Sequence, residues 1–373
     1  MEIVSSILAF LVILTVLVFV HEMGHFLVAR RNGVRVEVFS IGFGKEIFGW
    51  TDKSKTRWKF SMVPLGGYVK MFGDANVASQ PSGDVSDLSA EDKAVAFHAK
   101  RLDQRFWIVA AGPLANFLFA WVILVGLFVT VGQQFTPPEV GEVMSGSAAE
   151  VAGLLPGDFI VELNGVDIER FEEVQRFIRP NPEVPVDIVV LRDGERVALT
   201  AVPKLSELTN NFGMTQKIGL LGISRGGVEY VQYGVVKAIW RAGGEVLFLS
   251  RATLEALGEI IIGNRSASEL GGPVRIAQMS GVYADAGLVP TLGFMVMLSV
   301  TLGLINLFPI PMLDGGHLLF YIIEFVRGRP LGDRAQEYGF RIGIALVFSL
   351  MIFVTLNDLI QLEVFDFIKN LAT

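Results

Sequence analysis

Residues 3–29 read IVSSILAFLVILTVLVFVHEMGHFLVA, and this stretch decides the fold class. Its first eighteen residues are apolar apart from two serines and one threonine, which is long enough for a helix across the hydrocarbon core of a bilayer. A cleaved signal peptide would begin with basic residues and end at small residues, whereas this stretch follows Met1-Glu2 and runs into Arg30-Arg31. We therefore predict that residues 1–29 form a retained transmembrane helix.

The composition of the chain is typical of an integral membrane protein. Of its 373 residues, 51 % are hydrophobic and 18 % are charged, and the mean hydropathy is +0.51. Three further apolar runs predict spans at 106–131, at about 291–308 within segment 290–317, and at about 342–360 within segment 335–361. The net charge of −7 argues against a nucleic-acid partner, which requires a clustered basic surface. Because the chain has no cysteine, a bound metal would need His, Asp or Glu ligands.

The distribution of basic residues predicts the orientation of the four spans. Residues 30–105, between the first two spans, carry thirteen Lys or Arg, and the N-terminal flank carries none. By the positive-inside bias, residues 30–105 are cytosolic and the stretch from about 132 to 290 lies outside. We therefore predict a bacterial inner-membrane protein, with the lipid bilayer as a partner and residues 132–290 on the periplasmic side.

Residues 137–224 have the pattern of a compact β-rich domain inserted between the second and third spans. Short alternating runs at 186–191, 196–202 and 217–223 predict strands, and Phe171 to Ile178 predicts one helix. This domain would be periplasmic.

Part of the inserted domain resembles a PDZ domain, on the basis of residues 147–160, SAAEVAGLLPGDFI, followed by Asn164-Gly165. The resemblance implies a groove in which a peptide adds a strand to a sheet edge, with Ile218, Gly219 and Leu220 in a loop that captures the end of the peptide. The alternative is a folded spacer with no ligand.

Residues 230–262 are apolar enough to suggest a fifth span. Lys237, Arg241 and Glu245 recur every four residues, which favours an amphipathic helix on the membrane surface, and we assign residues 230–289 to this amphipathic region. A fifth span would also place Asp314 on the opposite side of the membrane from His21.

The residues His21-Glu22-Met23-Gly24-His25 match the H-E-x-x-H pattern. In this pattern two imidazoles four residues apart share one helix face and bind one zinc ion, and the glutamate acts as a base. Such polar residues are costly inside an apolar helix, so they must face protein or water and serve a purpose. A rise of about 1.5 Å per residue puts His21 about 27 Å from Ile3, near the cytosolic end of the span. The alternative is a set of satisfied polar residues in a helix bundle.

A catalytic zinc site needs a third protein ligand and an open position. His98 lies among basic loop residues, and we predict it to be a solvated histidine. The stretch Leu313-Asp314-Gly315-Gly316-His317 follows the third span on the cytosolic side. We prefer Asp314 to His317 as the ligand because the glycines after Asp314 let the backbone approach a neighbouring helix. His317 is expected to be a packing residue or a support for a ligand.

Taken together, these features resemble the site-2 protease family of intramembrane zinc metalloproteases, in its bacterial RseP-type branch. The motifs occur in family order along nearly the whole chain: residues 21–25 (HEMGH), 111–117 (AGPLANF), the PDZ-like insert, 271–277 (GGPVRIA) and 306–317 (NLFPIPMLDGGH). Relatives with two tandem PDZ domains exist in this branch, whereas about ninety residues here accommodate one.

The resemblance implies roles for particular residues. His21, His25 and Asp314 would bind Zn²⁺, and Glu22 would be the catalytic base. Residues 40–44, including Gly42, Phe43 and Gly44, and the strands through Val69 would form a membrane-reentrant β element that presents an edge to an unwound substrate. Asn306 would contact the substrate near the metal.

The implied fold is a multi-pass α-helical membrane protein with four transmembrane helices, a membrane-reentrant β element and an inserted extracytoplasmic PDZ-like α+β domain. The implied activity is hydrolysis of peptide bonds within transmembrane segments of single-pass membrane proteins, namely anti-sigma factors after a first cut and remnant signal peptides. The insert and the amphipathic helix would exclude substrates with bulky outer domains. Two other hypotheses stay open, a cation transporter and a membrane-anchored PDZ scaffold without turnover. Transport is less favoured because the polar cluster lies near one face and we find no internal repeat.

Overall fold

The computed structural model describes residues 2–74, 88–209, 215–227, 229–263, 266–267 and 270–361. Parts of the predicted segments 30–105, 137–224 and 230–289 therefore lie outside the described residues. The helices are α1 (Glu2–Arg31), α2 (Ala90–Val95), α3 (Leu102–Thr130), α4 (Ala148–Ala152), α5 (Phe171–Ile178), α6 (Val235–Ile262), α7 (Pro273–Asp285), α8 (Leu288–Leu307), α9 (Asp314–Arg327) and α10 (Asp333–Gln361). The strands are β1 (Val36–Thr51), β2 (Arg57–Met71), β3 (Gln133–Phe135), β4 (Val140–Val143), β5 (Phe159–Leu163), β6 (Val166–Asp167), β7 (Val186–Arg192), β8 (Glu195–Ala201), β9 (Lys204–Thr209), β10 (Thr215–Leu220), β11 (Ile223–Arg225) and β12 (Glu229–Val231).

These elements form two compact units. The first, a helical unit, contains residues up to 125 together with 239–253 and 271–358. The second is built chiefly from residues 126–238 and 254–270.

Four of the described helices, α1, α3, α8 and α10, are long and apolar enough to cross a membrane. They lie at the four predicted positions, which confirms a membrane protein with four candidate spans. Helix α3 begins at Leu102, four residues before the predicted start. Helix α6 has 28 residues but is not among these four described helices, so its composition, and not its length, argues against a fifth span.

The predicted segment 290–317 is not one helix. Helix α8 ends at Leu307, a loop follows over residues 308–313, and α9 begins at Asp314. Pro309 and Pro311 lie in this loop, where the missing N–H and the restriction on each preceding residue prevent the helix from continuing. The break separates the third span from the helix that carries Asp314.

The β element predicted before the second span is an antiparallel hairpin of β1 and β2. Its first part packs on α1 through Phe39, which lies against Phe26 of α1 and is stacked on Trp58 of β2 with ring centroids 4.5 Å apart. Several register shifts interrupt the ladder between Val38 and Phe48. The hairpin is therefore confirmed, while its insertion into a membrane stays a prediction.

Helix α7 lies within the predicted membrane-surface region at 230–289 and packs against α1. A Cβ placed on Gly281 of α7 would overlap the Ser6 hydroxyl of α1, so the two helices are in close contact. Gly281 and Ser280 are buried. Small residues such as Gly281 let helix backbones approach in a way that hydropathy alone does not show, and the assignment of residues 230–289 to the membrane surface stays a prediction.

The second unit contains a four-stranded sheet in the order β6-β5-β7-β8, with the pairs β4-β11, β9-β10 and β3-β12. Its core is formed by buried aliphatic residues of these strands and of α5, among them Ile160, Ile188 and Val174. The helix predicted at 171–178 is confirmed. The strand predicted at 217–223 is instead two strands, because Gly222 adopts a positive φ of 78° between them. The PDZ assignment stays a prediction.

Candidate metal centre and active site

Helices α1 and α3 lie very close together beside the H-E-x-x-H residues. A Cβ placed on Gly24 would overlap the carbonyl of Ala111, and one placed on Gly112 would overlap Nε2 of His25. Because these two positions are glycine, the backbone of α3 can lie directly against the imidazoles. Both His21 and His25 are buried.

The structure brings His21, His25 and Asp314 together. Nε2 of His21 lies 3.1 Å from Oδ2 of Asp314, Nε2 of His25 lies 3.5 Å from Oδ1, and the two Nε2 atoms are 3.2 Å apart. Donor atoms of a tetrahedral zinc site, each about 2.0–2.1 Å from the ion, lie about 3.3 Å apart. The three side chains therefore fit a zinc ion by donor type and by spacing.

The surroundings of these three side chains also favour a cation. Nδ1 of His25 donates to the carbonyl of Ile108 at 2.9 Å, which leaves its Nε2 free to bind a metal. Oδ2 of Asp314 is buried and makes no hydrogen bond to the described residues. The lone pairs of the two Nε2 atoms and of the Asp314 carboxylate point toward one another, and no hydrogen-bond donor from the described part of the chain lies between them. A cation between these atoms stabilises such an arrangement.

A second contact orients His21. Nδ2 of Asn116 lies 3.2 Å from Nδ1 of His21, and Oδ1 of Asn116 is buried and without a partner among the described residues. An imidazole that binds metal through Nε2 carries its proton on Nδ1 and needs an acceptor there. Flipping the side-chain amide of Asn116 exchanges Oδ1 and Nδ2. Oδ1 then accepts the hydrogen bond from Nδ1 of His21.

The loop between α8 and α9 positions Asp314. A Cβ placed on Gly315 would overlap the carbonyls of Phe308 and Leu307, and one placed on Gly316 would lie 2.5 Å from the carbonyl oxygen of Ile310. The two glycines let the end of α8 and the loop after it lie against the first turn of α9, whereas the expected close approach was to a neighbouring helix. Met312 in this loop has a φ of 88°, a left-handed conformation that is unfavourable for a methionine.

His21, His25 and Asp314 line one cavity of about 280 Å³. Glu22, Asn306, Phe43 and Tyr68 line the same cavity. A Cβ placed on Gly67 of β2 would lie 3.3 Å from Cγ of Glu22, so the strand passes directly beside the glutamate. The structure therefore places the predicted base, the three predicted metal ligands and the predicted substrate contact Asn306 around one space.

The hairpin residues predicted to contact substrate occupy different positions. Phe43 lines the cavity and is stacked on Tyr68, with ring centroids 6.0 Å apart. Gly42 has a φ of 87°, and a Cβ placed on it would lie 2.6 Å from the carbonyl oxygen of Val63. Gly44 has a φ of 89° and no atom near its Cβ position. The glycines shape the strand on both sides of Phe43, which is the member of the three that faces the cavity.

The two other histidines do not belong to the cluster of three ligands found among the described residues. His317 lines the cavity and contacts the ring of Phe340, consistent with the expected packing role. The prediction that His98 is solvated is wrong. Nε2 of His98 lies 3.0 Å from Oδ1 of Asp74, whose fully buried carboxylate needs such a partner.

The residues predicted to capture a peptide lie on β10. Ile218 and Gly219 are buried, and Leu220 is half-buried. The N–H of Gly219 already donates to the carbonyl of Arg179 at 2.8 Å. Peptide capture stays a prediction, and it would have to use amides other than that of Gly219.

Three groups contact the imidazoles although the sequence patterns predict no role for them: Asn116, the carbonyl of Ile108 and Gly112. Asn116 carried a usable signal, because an amide side chain in the middle of an apolar span needs a partner inside the protein. Nothing in the sequence indicated that the carbonyl of Ile108 accepts a hydrogen bond from His25, because every residue of α3 has a backbone carbonyl.

Comparison with known proteins shows the family of this chain. The model of peptidase family M50 matches residues 9–350. A protein of Rhizobium meliloti named "Putative zinc metalloprotease R01501" is 44 % identical over 355 residues, covering 94 % of this chain and 95 % of that protein. The protein named "Metalloprotease MmpA" of Caulobacter vibrioides is 38 % identical over 389 residues, covering 97 % of each chain.

Four candidate spans and a cluster of His21, His25 and Asp314 define a membrane protein with a potential metal centre. The chain belongs to peptidase family M50 and is a zinc metalloprotease of the site-2 type, with Zn²⁺ as its cofactor.

Proposed function

We propose that this protein is an endopeptidase that cuts single-pass membrane proteins within their transmembrane segments. The observation that carries the proposal is the position of Glu22. It lies beside the potential metal ligands and lines their cavity, on a helix long and apolar enough to span a membrane. A base and a metal site at this position act on peptide bonds that are themselves at membrane depth.

The proposed chemistry assigns one role to each side chain. His21, His25 and Asp314 hold the zinc ion. When bound, zinc supplies Lewis-acid polarisation of the scissile carbonyl and of the attacking water. Glu22 accepts the proton of that water and later donates it to the leaving amine.

Substrate presentation is assigned to the β hairpin and to Asn306. A helical substrate has its carbonyls in hydrogen bonds, so a segment must unwind before it can be cut, and its freed backbone groups need partners inside the membrane. A strand edge provides such partners. Gly66, Gly67 and Tyr68 of β2 line the cavity beside Glu22, which supports this role. Phe43 contacts the substrate from the hairpin and Asn306 contacts it from the end of α8.

The proposed biological setting follows the family resemblance and the charge distribution. The protein lies in the bacterial inner membrane with its active site toward the cytosol, and its substrates are anti-sigma factors after a first cut and remnant signal peptides. The insert at 137–224 is a periplasmic PDZ-like domain, and it excludes substrates with bulky outer domains. Deletion of residues 137–224 should permit cleavage of untrimmed substrates, and untrimmed substrates that remain uncut would contradict this filter.

The direct test of the proposed function is the position of the cut. Purified protein in detergent is incubated with a single-span polypeptide tagged at both ends, and the products are mapped by mass spectrometry. A control substrate carries the same flanks around a span of alternating leucine and alanine, which favour helix and resist unwinding. We expect a cut within the native span and slower cleavage of the control. Cleavage confined to the soluble flanks would contradict the proposal.

A further inference from the structure

Helix α10 is held to the rest of the helical unit at two places. Among its residues whose burial is described, Phe340, Gly343 and Asp358 are buried. The apolar side chains between the two places are half-exposed or exposed, as lipid-facing side chains are. The position of α10 within the protein therefore depends on few contacts.

The contact near the end of α10 is made by Asp358. Its Oδ1 accepts from the N–H of Gly272 at 2.9 Å, and its Oδ2 accepts from the N–H of Arg275 at 3.0 Å. These are orphan donors at the start of α7, so a carboxylate from another helix caps α7. Asp358 is 2 % exposed, which makes the loss of either partner costly.

This contact gives a role to the motif at residues 271–277, which the catalytic site does not use. A Cβ placed on Gly272 would lie 2.7 Å from Oδ2 of Asp358 and 3.0 Å from the carbonyl oxygen of Val354. Glycine is therefore required for α10 to reach the backbone. Pro273 follows in the first turn of α7, where its missing N–H costs nothing.

The contact near the start of α10 supports the loop that precedes Asp314. A Cβ placed on Gly343 would overlap the carbonyl of Pro311, and Phe340 contacts the ring of His317 with centroids 5.6 Å apart. Pro311 lies three residues before Asp314. Gly343 and Asp358 are separated by fifteen residues, or about 22 Å of helix.

Helix α7 connects α10 to the helix that carries the two histidines. It packs on α1 through Gly281 and Ser6, and α1 carries His21 and His25. The helix that carries the two histidines and the helix that carries Asp314 are thus connected through a series of contacts. Helix α1 contacts α7, α7 is capped by Asp358 of α10, and α10 contacts Pro311 in the loop before Asp314.

We propose that Asp358 is a positioning residue for the metal centre. By capping α7 it fixes α10, and α10 holds the loop before Asp314 so that the aspartate stays within bonding distance of the zinc held by the two histidines. Losing the cap loosens Asp314 without removing any ligand.

The test measures zinc release as well as turnover. Zinc-loaded full-length protein is compared as wild type, Asp358→Leu, Asp358→Asn and Gly272→Ala, with Glu337→Gln as the control. Glu337 lies on the same helix, in an exposed i,i+4 pair with Arg341. Transfer of zinc to a coloured chelator is followed over time, and kcat and KM are measured separately on a single-span substrate. Zinc release needs no substrate, so this readout is independent of which proteins are cut.

We expect Asp358→Leu to release zinc about tenfold faster and to lower kcat about tenfold, with KM changed less than about twofold, the size of effect seen for residues that orient ligands. Asp358→Asn should fall between Asp358→Leu and wild type, because its one carbonyl oxygen satisfies one of the two N–H groups. Gly272→Ala should resemble Asp358→Leu, and Glu337→Gln should match wild type. If Asp358→Leu does not fold, Asp358→Asn and Gly272→Ala decide the outcome. Wild-type zinc release in both of these variants would overturn the proposal.

Discussion

Nδ2 of Asn116 lies 3.2 Å from Nδ1 of His21, while Nε2 of the same imidazole lies 3.1 Å from Oδ2 of Asp314. The amide is thus behind the ring nitrogen that does not face the metal site. Since Asn116 is fully buried, its amide holds the ring in one orientation, and with Oδ1 turned toward Nδ1 it selects the tautomer that binds metal.

Replacing Asn116 should therefore weaken zinc binding without removing a ligand. We expect Asn116→Leu to lower zinc affinity by about 10- to 100-fold, measured by competition with a chelator. Leu118→Ala, an exposed position on the same helix, serves as the control and should leave affinity unchanged. Equal affinities for Asn116→Leu and wild type would contradict the orienting role.

Gly112 should tolerate no side chain. The methyl group of Gly112→Ala would overlap Nε2 of His25, and we expect a displaced imidazole and a loss of activity of about 100-fold or more. Gly126→Ala is a matched control on α3, because no atom lies within 4 Å of its Cβ position. Activity and bound zinc are measured for both variants. Normal activity of Gly112→Ala would show that the close approach of α3 is not needed.

Phe43 should affect substrate use and leave the metal in place. We expect Phe43→Ala to raise KM about fivefold, since an aromatic contact contributes about 1 kcal/mol, and to keep full zinc content. Phe48→Ala is the control, because Phe48 is exposed further along β1 and does not line the cavity. A similar KM change in both variants would point to a general effect on the hairpin.

The stability of the second unit should depend on Asp158. Burial alone would raise the pKa of its carboxyl, but hydrogen bonds from Arg192 and from the N–H of Leu155 hold that pKa below its ordinary value. A lowered pKa in the folded state adds stability above the unfolded-state pKa of about 4, and this contribution is lost as pH falls through the lower folded value.

Hydrogen exchange of residues 159–201 in the full-length protein tests this pH dependence. At each pH we compare wild type with Asp158→Asn, so that the intrinsic exchange rates cancel. Wild type should be better protected at pH 7, and the difference should shrink as pH falls below about 4. Asp167→Asn, an exposed carboxylate of β6, should behave as wild type throughout. A difference that grows toward low pH would contradict the pairing of Asp158 with Arg192.

Hydropathy predicted the four candidate spans because a long apolar run has few alternatives to a membrane helix. The pattern from His21 to His25 predicted two facing imidazoles because their spacing matches one helix turn. Asp314 needed family resemblance as well, since it lies almost three hundred residues away along the chain and only the fold brings it close.

Features that depend on packing between distant segments were not predictable. His98 lies 24 residues from Asp74, and their pairing depends on how residues 97–99 pack against the chain just after β2, where the N–H of Phe97 donates to the carbonyl of Phe72. The contact between Asn116 and His21 depends on the rotation of α3 about its own axis, which a span with apolar residues on every side does not specify. The split of residues 217–223 into two strands depends on the conformation of Gly222, which a glycine in a sequence does not reveal.

The most direct test of the central claim compares wild type with Glu22→Gln. Both purified proteins are assayed for cleavage of a tagged single-span substrate in detergent, and zinc content is measured in the same samples. We expect that wild type cuts and that Glu22→Gln keeps its zinc but does not cut. A Glu22→Gln variant that retains zinc and cuts at the wild-type rate, or a zinc-loaded wild type that cuts none of several unstructured spans, would contradict the central claim.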